Sequence, residues 1–313
     1  MSEAFIEVNQ LVKRYGDGGT VGPISLTSPR GVIYGLVGPN GSGKTTTIRC
    51  MLGLQKPSGG EVRVAGLDPA TEAKELMEIT GYSQELPSFP PFLTARSILE
   101  ITGKLKGLSG ADLRREIARV LDLSGLVSHA DRRTGSYSKG MLQRLAVAQA
   151  IMGDPELLIL DEPMLGVDPA ARVQMREIFL ELRRGGKTIL FSSHELYELE
   201  RVADMVGMIY QGRVMIEGWV KELLKQDALG MRVLAEVLRP QYITPSLIQS
   251  IEGVRHFELE GSRLRVEFTE GLDGREKLSE VLVNCGAGLI GLSVVNPTLE
   301  DLFMDMVRGA AKS

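Results

Sequence analysis

A glycine-rich segment near the start of the chain has the residue types and spacing that bind phosphate. Residues 38–45 read Gly-Pro-Asn-Gly-Ser-Gly-Lys-Thr and match G-x-x-x-x-G-K-[ST] at every position. Glycines let successive backbone N–H groups point at phosphate oxygens, and the helix that follows adds its positive end. Lys44 is expected to reach the β- and γ-phosphates, and the Thr45 hydroxyl to bind Mg²⁺. The segment predicts a nucleotide-phosphate site; the alternative is a chance glycine-rich turn.

Two adjacent acids, Asp161 and Glu162, follow the apolar run 157–160. If that run is a buried parallel strand, both acids lie at the ligand-binding edge of the sheet, beside the glycine-rich segment. Asp161 is then placed to hold Mg²⁺ through water, and Glu162 to polarise an attacking water as general base. A lone acid pair is by default only an exposed strand end, but the upstream phosphate segment favours catalysis.

Runs that are apolar on both faces must position these groups. Residues 32–37, 157–160 and 188–191 are typical of buried parallel strands. Helix-like stretches separate them, including 172–183, and the alternating residues from Phe5 predict N-terminal antiparallel strands around the turn 16–19. Strands that alternate with helices predict an α/β fold with a mostly parallel sheet.

Two changes in pattern divide the chain further. Between residues 87 and 136 the strands stop, three prolines mark a break, and 97–105 and 113–121 predict amphipathic helices, so this segment is interpreted as a helical insertion. Near Lys225 the pattern changes again. We therefore expect one domain over 1–225 and a smaller accessory module over 226–313.

The accessory module is predicted to have the order β-α-β-β-α-β, which is that of a ferredoxin-like fold. Pro297 is placed to open a last helix that runs through Met306. The predicted strands are 231–238, 254–260, 264–268 and 289–295, and the predicted helices are 245–251 and 274–283. Residues 263–268 alternate charged with apolar side chains, so one sheet face is expected to be buried and the other wet. No nucleophile or phosphate segment follows Lys225, so we expect the module to do no chemistry and to bind no cofactor.

Composition argues against several classes of partner and site. The formal net charge of −4, from 36 Lys and Arg against 40 Asp and Glu, gives no support for a nucleic-acid partner held by phosphate neutralisation. Cys50 and Cys285 lie far apart, so neither a zinc site nor a disulfide framework is expected, and a reduced cytosolic compartment fits best. No signal peptide and no run of 18 apolar residues is visible, so a membrane role would come through a partner.

Five further segments occur around the phosphate segment and the acid pair, and each one alone is a weak signal. They are Tyr15 in 13–16, Gln84 in 81–84, the segment 137–141 (Tyr-Ser-Lys-Gly-Met) followed by Gln143-Arg144, the segment 166–169 (Gly-Val-Asp-Pro), and His194 in 192–195. A lone tyrosine or histidine is more often structural than functional, and a Ser-Gly pair is often only a helix cap. In order and approximate spacing, however, they resemble the motifs of ABC ATPases over residues 4–220.

The resemblance implies roles for these residues. Tyr15 would stack on adenine, Gln84 would contact Mg²⁺ and water and sense a transmembrane partner, and His194 would contact the γ-phosphate. The implied catalytic residues are Lys44, Gln84, Glu162 and His194, and the implied Mg²⁺ ligands are Thr45, Gln84 and Asp161. The implied nucleotide contacts are Tyr15, Gly38, Pro39, Asn40, Gly41, Ser42, Gly43, Lys44, Thr45, Thr46, Ser138, Gly140 and Asp168.

The segment 137–141, hereafter the signature segment, departs from the family pattern at two positions. Lys139 stands where glycine is common, and Met141 stands where glutamine is common. Ser138 and Gly140, the two residues expected to face the γ-phosphate, match the pattern. We therefore expect ATP hydrolysis despite these departures.

The resemblance also implies an assembly. Two ATP molecules are sandwiched between two such domains, so the chain is expected to pair with a second copy or a related subunit and to dock on transmembrane permease subunits at the cytoplasmic face of the membrane. Residues 296–303 resemble the ending of exporter-type subunits, although a plain amphipathic helix describes them equally well. The alternatives are a soluble ABC-type ATPase with a mechanical or regulatory role, and a subunit with a vestigial nucleotide site.

Overall fold

The computed structural model describes residues 4–16, 18–224, 230–269, 271–296 and 298–310. The chain forms two compact units, Met1–Trp219 and Val220–Ser313. The domain boundary predicted at Lys225 and the helix start predicted at Pro297 lie outside the described residues. In the part of the chain that is described, no helix combines the length and the apolar character needed to span a membrane.

The first unit contains nine strands and seven helices in its described residues, together with short 3₁₀ turns at Val127–His129 and Thr134–Ser136. The strands are β1 (Ala4–Arg14), β2 (Thr20–Pro29), β3 (Ile33–Val37), β4 (Gly59–Val64), β5 (Thr80–Ser83), β6 (Leu157–Leu160), β7 (Thr188–Ser193), β8 (Met205–Tyr210) and β9 (Arg213–Trp219). The helices are α1 (Lys44–Met51), α2 (Ala73–Ile79), α3 (Ala95–Leu105), α4 (Gly110–Leu123), α5 (Lys139–Ala150), α6 (Pro169–Arg184) and α7 (Leu196–Glu200).

The main sheet of this unit has the strand order β5-β6-β7-β3-β8-β9. All neighbouring pairs are parallel except β8 and β9, which run antiparallel. Every residue of β3, β6 and β7 is buried, because these strands are apolar on both faces and helices cover both sides of a parallel sheet. The carboxyl ends of β5, β6, β7 and β3 therefore lie side by side, which confirms the predicted α/β fold with a mostly parallel sheet.

A second sheet and a helical insertion complete the first unit. Strands β2, β1 and β4 form an antiparallel sheet, as the alternating pattern predicts for the N-terminus. Helices α3 and α4 lie between β5 and β6 and are longer than the predicted helices. The side chain of Thr94 accepts a hydrogen bond from the Ser97 N–H at the start of α3, which explains why this helix begins before the predicted residue 97.

The second unit contains α8 (Val220–Leu223), β10 (Arg232–Val237), α9 (Pro245–Gln249), β11 (Val254–Glu260), β12 (Arg263–Phe268), α10 (Arg275–Asn284), β13 (Leu289–Val295) and α11 (Leu299–Ala310). Its sheet has the order β11-β12-β10-β13 with every neighbouring pair antiparallel. From β10 to β13 the elements follow the predicted ferredoxin-like order. Leu264, Val266 and Phe268 are buried on one face, together with Leu278 and Leu282 of α10.

The opposite face of this sheet is not wet throughout. Arg232 of β10 is only 2% exposed. Its guanidinium lies 2.6 Å from Asp301 and 3.0 Å from Asp305, both on α11, and 3.3 Å from Glu267 of β12. The sequence pattern could not reveal this burial, because it depends on where the last helix packs.

Candidate functional site

The glycine-rich segment, residues 38–45 and hereafter the phosphate loop, connects β3 to α1. Gly41 and Gly43 have φ angles of +79° and +110°, a region that glycine adopts at little cost. A Cβ on Gly38 would lie 2.1 Å from the Ile209 carbonyl oxygen, so the backbone approaches too closely for any side chain. The loop borders a cavity of about 300 Å³ lined by Val21, Asn40, Gly41, Ser42, Gly43, Lys44, Thr45, Thr46, Glu85 and Glu162.

Lys44 is held between the phosphate loop and the acid pair. Its Nζ donates to the Gly38 carbonyl at 2.7 Å and lies 3.3 Å from Glu162 Oε1. The side chains of Lys44 and Glu162 are only 6% and 7% exposed. An ammonium in so little solvent interacts strongly with any anion that enters the cavity.

Glu162 has a constrained backbone and two side-chain partners. Its φ of +47° is unusual for a residue with a side chain, and such strain is common at functional sites. Its N–H donates to Ser192 Oγ at 2.9 Å, and its Oε2 lies 2.9 Å from His194 Nδ1. The structure therefore brings Lys44, Glu162 and His194 together, with the carboxylate between the two basic side chains.

Asp161, the other acid of the pair, is also buried. Its N–H donates to the Ser83 carbonyl at 2.8 Å, and its Oδ1 accepts from Ser192 Oγ at 2.5 Å. Burial raises the pKa of the nearby Tyr82 hydroxyl, and the charges of Asp161 and Glu85 raise it further against the opposing effect of Arg49. The Ser192 hydroxyl thus donates to the Asp161 carboxylate and accepts from the Glu162 N–H.

Gln84 and Tyr15 differ in how they relate to the phosphate-loop cavity. Gln84 is exposed, and its Nε2 donates to the Leu86 carbonyl at 3.2 Å, whereas the next residue, Glu85, lines the cavity. The Tyr15 hydroxyl lies 2.8 Å from Oγ1 of Thr46, which also lines the cavity. The Tyr15 side chain is 36% exposed, and Lys13 Nζ lies 6.0 Å from the centre of its ring.

The signature segment and the segment 166–169 lie close to each other but do not line this cavity. Ser138 caps α5, with its Oγ accepting from the Met141 N–H at 3.3 Å, and Asp168 caps α6 by accepting from the Ala171 N–H at 3.0 Å. A Cβ on Gly140 would lie 3.6 Å from Val167 and 3.8 Å from Asp168. Ser138, Gly140 and Asp168 are not among the described residues that line the phosphate-loop cavity.

The chain is similar to known proteins over nearly its whole length. The profile of the family described as ABC transporter matches residues 21–165. The bacitracin transport ATP-binding protein BcrA of Bacillus licheniformis is 34% identical over 306 residues, which cover 97% of this chain and 97% of that protein. The chain belongs to the ATP-binding proteins of ABC transporters.

Two further similarities agree with this assignment. The daunorubicin/doxorubicin resistance ATP-binding protein DrrA of Streptomyces peucetius is 38% identical over 229 residues, covering 73% of this chain and 69% of that protein. A solved structure described as the ATP-binding subunit of an ABC transporter is 30% identical, with a TM-score of 0.64, and covers 71% of this chain and 92% of that one. The expectation of an ABC-type ATPase that binds ATP is therefore confirmed.

Three polar residues of this ABC ATPase site were not predicted from the sequence. Ser192 bonds to both acids, Glu85 lines the cavity, and Gln143 donates to the Glu162 carbonyl. Ser192 lies two residues before His194, Glu85 directly follows Gln84, and Gln143 lies two residues after the signature segment. That proximity is the only sequence signal, because the contacts themselves depend on the tertiary fold.

Proposed function

We propose that this ATPase powers an export permease by hydrolysing ATP in sites shared between two copies of the chain or between it and a related subunit. The observation that carries the proposal is the Lys44–Glu162–His194 cluster beside the phosphate loop. The signature residues Ser138 and Gly140 lie elsewhere on the same chain, so they are available to a nucleotide bound by a partner. Closure of two chains would then place them against the γ-phosphate, where they stabilise developing charge.

The roles of the residues follow from their positions. The phosphate-loop amides and Lys44 bind the β- and γ-phosphates, and Tyr15 offers its ring to adenine. Glu162 accepts a proton from the attacking water, while His194 orients the carboxylate through the contact at Oε2. Gln84 and Asp168 are proposed to report nucleotide binding to the permease and to the second chain.

The donor set also fits Mg²⁺. This hard cation prefers oxygen ligands, and the Thr45 hydroxyl and the buried Asp161 carboxylate are of that kind. Ser42 Oγ is buried and has no hydrogen-bond partner among the described residues, as expected for a hydroxyl that faces a phosphate ligand. When bound, Mg²⁺ neutralises charge on the β- and γ-phosphates.

The helical insertion, together with Leu86 directly before it, is the proposed permease surface. Leu86 and Phe92 are 72% and 69% exposed, unusual for large apolar side chains. Both follow Gln84 in sequence, and Leu86 lines a cavity of about 480 Å³ together with Glu85, Pro87, Lys139, Leu142, Gln143, Leu165 and Gly166. Docking there would hold the chain at the cytoplasmic face of the membrane. The name of DrrA, a daunorubicin/doxorubicin resistance protein, supports export as the direction.

We propose residues 1–225 as the ATP-binding domain, with 87–136 as its helical subdomain, and 226–313 as an accessory module. The module would lengthen the contact between subunits or touch the permease rather than act on nucleotide. Its last strand, β13, supports this role because it lies at an edge of the sheet and carries no charged side chain.

The permease proposal is tested by recovering the tagged chain from native membranes in detergent and identifying integral membrane proteins that copurify. We expect Leu86→Glu and Phe92→Glu each to lower that recovery about tenfold while ATP binding persists, because a charge cannot enter an apolar contact. Leu54→Glu, at an apolar side chain that is 57% exposed outside the insertion, is the matched control. Equal recovery with all three variants would contradict the proposed surface.

A further inference from the structure

Gln143 on helix α5 forms hydrogen bonds with two loops of the nucleotide site. It is 3% exposed, and its Nε2 donates to the backbone carbonyls of Glu85 at 3.3 Å and of Glu162 at 3.2 Å. Both acceptors are carbonyl oxygens, so only the NH₂ end of the amide can serve them, which fixes the orientation of the side chain.

The bond to Glu162 supports an unfavourable backbone conformation. A φ of +47° is rare for a residue with a Cβ and persists only when its surroundings hold it. The Ser192 hydroxyl holds the Glu162 N–H, while the Gln143 amide and the Leu165 N–H, at 3.0 Å, both donate to the Glu162 carbonyl. Without the Gln143 donor, the backbone can relax and displace the carboxylate from Lys44 and His194.

The same helix begins at the signature serine. Ser138 caps α5, and Gln143 lies five residues further along, about 7.5 Å at the helical rise. The two residues lie in different surroundings. Ser138 is not among the described residues that line the phosphate-loop cavity of its own chain, whereas Gln143 donates to the carbonyl of Glu162, which lines it.

We infer that Gln143 is a positioning residue that links the two ATP sites of the dimer: α5 covers the partner's nucleotide with Ser138 and holds the general base of its own site with Gln143. The inference rests on the proposed shared site. It assigns to Gln143 the placement of Glu162, with no contact to nucleotide, so its loss should change turnover far more than affinity.

The first test replaces the donor without changing the length of the side chain. In the full chain, Gln143→Met is expected to keep ATP affinity within about twofold and to lower kcat at least about tenfold, because a small displacement of a catalytic group is costly. Gln149→Met is the matched control, since Gln149 lies on the same helix and donates to Thr102 Oγ1 at 3.0 Å instead. Equal effects of the two substitutions, or loss of ATP affinity in parallel with kcat, would overturn the inference.

A pH profile separates positioning from packing. Gln143→Glu keeps the shape, but an ionised carboxylate cannot donate to two carbonyls, whereas a protonated carboxyl can donate to one. Burial beside carbonyl oxygens raises the pKa of the introduced carboxyl. The kcat of this variant relative to the wild type should therefore rise as the pH falls from about 8 to about 6. A ratio that does not change with pH would contradict the donor role.

The second test asks which site each end of α5 serves. Heterodimers of full chains with two affinity tags are purified, and Ser138→Arg in one chain opposite a wild-type chain calibrates the loss of one shared site, at about half of the wild-type activity. Wild-type activity in this heterodimer would contradict the shared site itself and would leave the first test to decide the role of Gln143.

The substitutions Ser138→Arg and Gln143→Met are then combined in one chain or placed in opposite chains, and activity is compared with that of the calibrating heterodimer. Ser138→Arg and Gln143→Met in the same chain damage both sites, so activity should fall close to zero. In opposite chains they fall on the same site, so about half of the activity should remain. Equal activity in the two arrangements would overturn the assignment of Gln143 to the base of its own chain.

Discussion

Each unit of the protein contains an ionic cluster around a buried basic side chain, and the two clusters differ in what their charges face. In the ATP-binding unit, the buried Lys44 and Glu162 line the cavity at the phosphate loop, and the exposed His194 contacts Glu162. In the second unit, Arg232 is surrounded by the carboxylates of Glu267, Asp301 and Asp305. The first arrangement leaves a buried ammonium facing a cavity that can hold an anion, whereas the second surrounds its guanidinium with carboxylates of its own unit.

Cavity size does not identify the nucleotide site. The cavity beside Arg232, about 440 Å³, is larger than the cavity of about 300 Å³ at the phosphate loop. Its lining mixes acidic and basic side chains, and Arg232 pairs there with Glu267, Asp301 and Asp305. We therefore expect substitutions in the first cluster to change turnover with little effect on folding, and substitutions in the second cluster to do the reverse.

The largest expected effect is that of Glu162→Gln. The amide keeps the shape of the side chain but cannot accept the proton of the attacking water, so kcat should fall about 10³-fold. ATP binding should persist, and the uncleaved nucleotide should hold two chains together. Single-turnover kinetics and size-exclusion chromatography with ATP measure both effects.

Glu195→Gln is the control for that substitution, because Glu195 pairs with Arg172 on α6 and is not among the described residues lining the phosphate-loop cavity. Turnover by Glu162→Gln close to that of the wild type would show that the cluster does not supply the general base. The cluster of the ATP-binding unit would then not differ from the second cluster by a role in proton transfer.

Arg232→Met addresses the other cluster and should change stability. Removing the guanidinium leaves three carboxylates without their counter-charge, which should lower the free energy of unfolding of the second unit by about 3 kcal/mol. ATP affinity and kcat should stay within about twofold, since this cluster does not face nucleotide. Urea unfolding and nucleotide titration of the full chain check the two expectations.

Arg263→Met is the matched control for Arg232→Met, because Arg263 forms an exposed pair with Glu236 at 3.2 Å on the same sheet. Exposed pairs contribute at most about 1 kcal/mol. If Arg232→Met abolished ATP binding in a chain that stays folded, the second unit would contribute to the nucleotide site, and its cluster would not serve stability alone.

The sequence predicted the first cluster better than the second, for a physical reason. Strand β6 coincides with the predicted run 157–160, and the phosphate loop lies between strand and helix as predicted, because local composition determines both. Parallel strands bring their carboxyl ends to one edge, so Lys44, Glu162 and His194 could be placed together from topology alone.

The remaining features depend on packing between distant segments. Arg232 belongs to an alternating charged face, and only the position of α11 buries it. The amide of Gln143 follows the signature segment, yet nothing local indicates that it points at the Glu162 carbonyl. Strands β8 and β9 were not predicted either, although β8 is almost wholly buried, because a short apolar run does not by itself distinguish strand from helix.

The smallest expected effect concerns Asp301 and depends on pH. Burial opposes ionisation of this carboxyl, but hydrogen bonds from the Thr298 N–H and hydroxyl, at 2.9 Å and 2.8 Å, and the charge of Arg232 lower its pKa below the ordinary value of 3.8. A carboxyl whose pKa is lower in the folded chain stabilises the fold above its unfolded pKa, and this contribution is lost as the pH falls through the folded value.

Asp301→Asn should therefore cost about 1 kcal/mol at pH 7. The stability difference from the wild type should stay constant down to about pH 5 and shrink below about pH 4. Glu300→Gln, at the exposed neighbouring position, should show no such trend in urea unfolding. A difference that grew on acidification would mean that the folded state favours the protonated carboxyl, and Asp301 would then not be an ionised partner of Arg232.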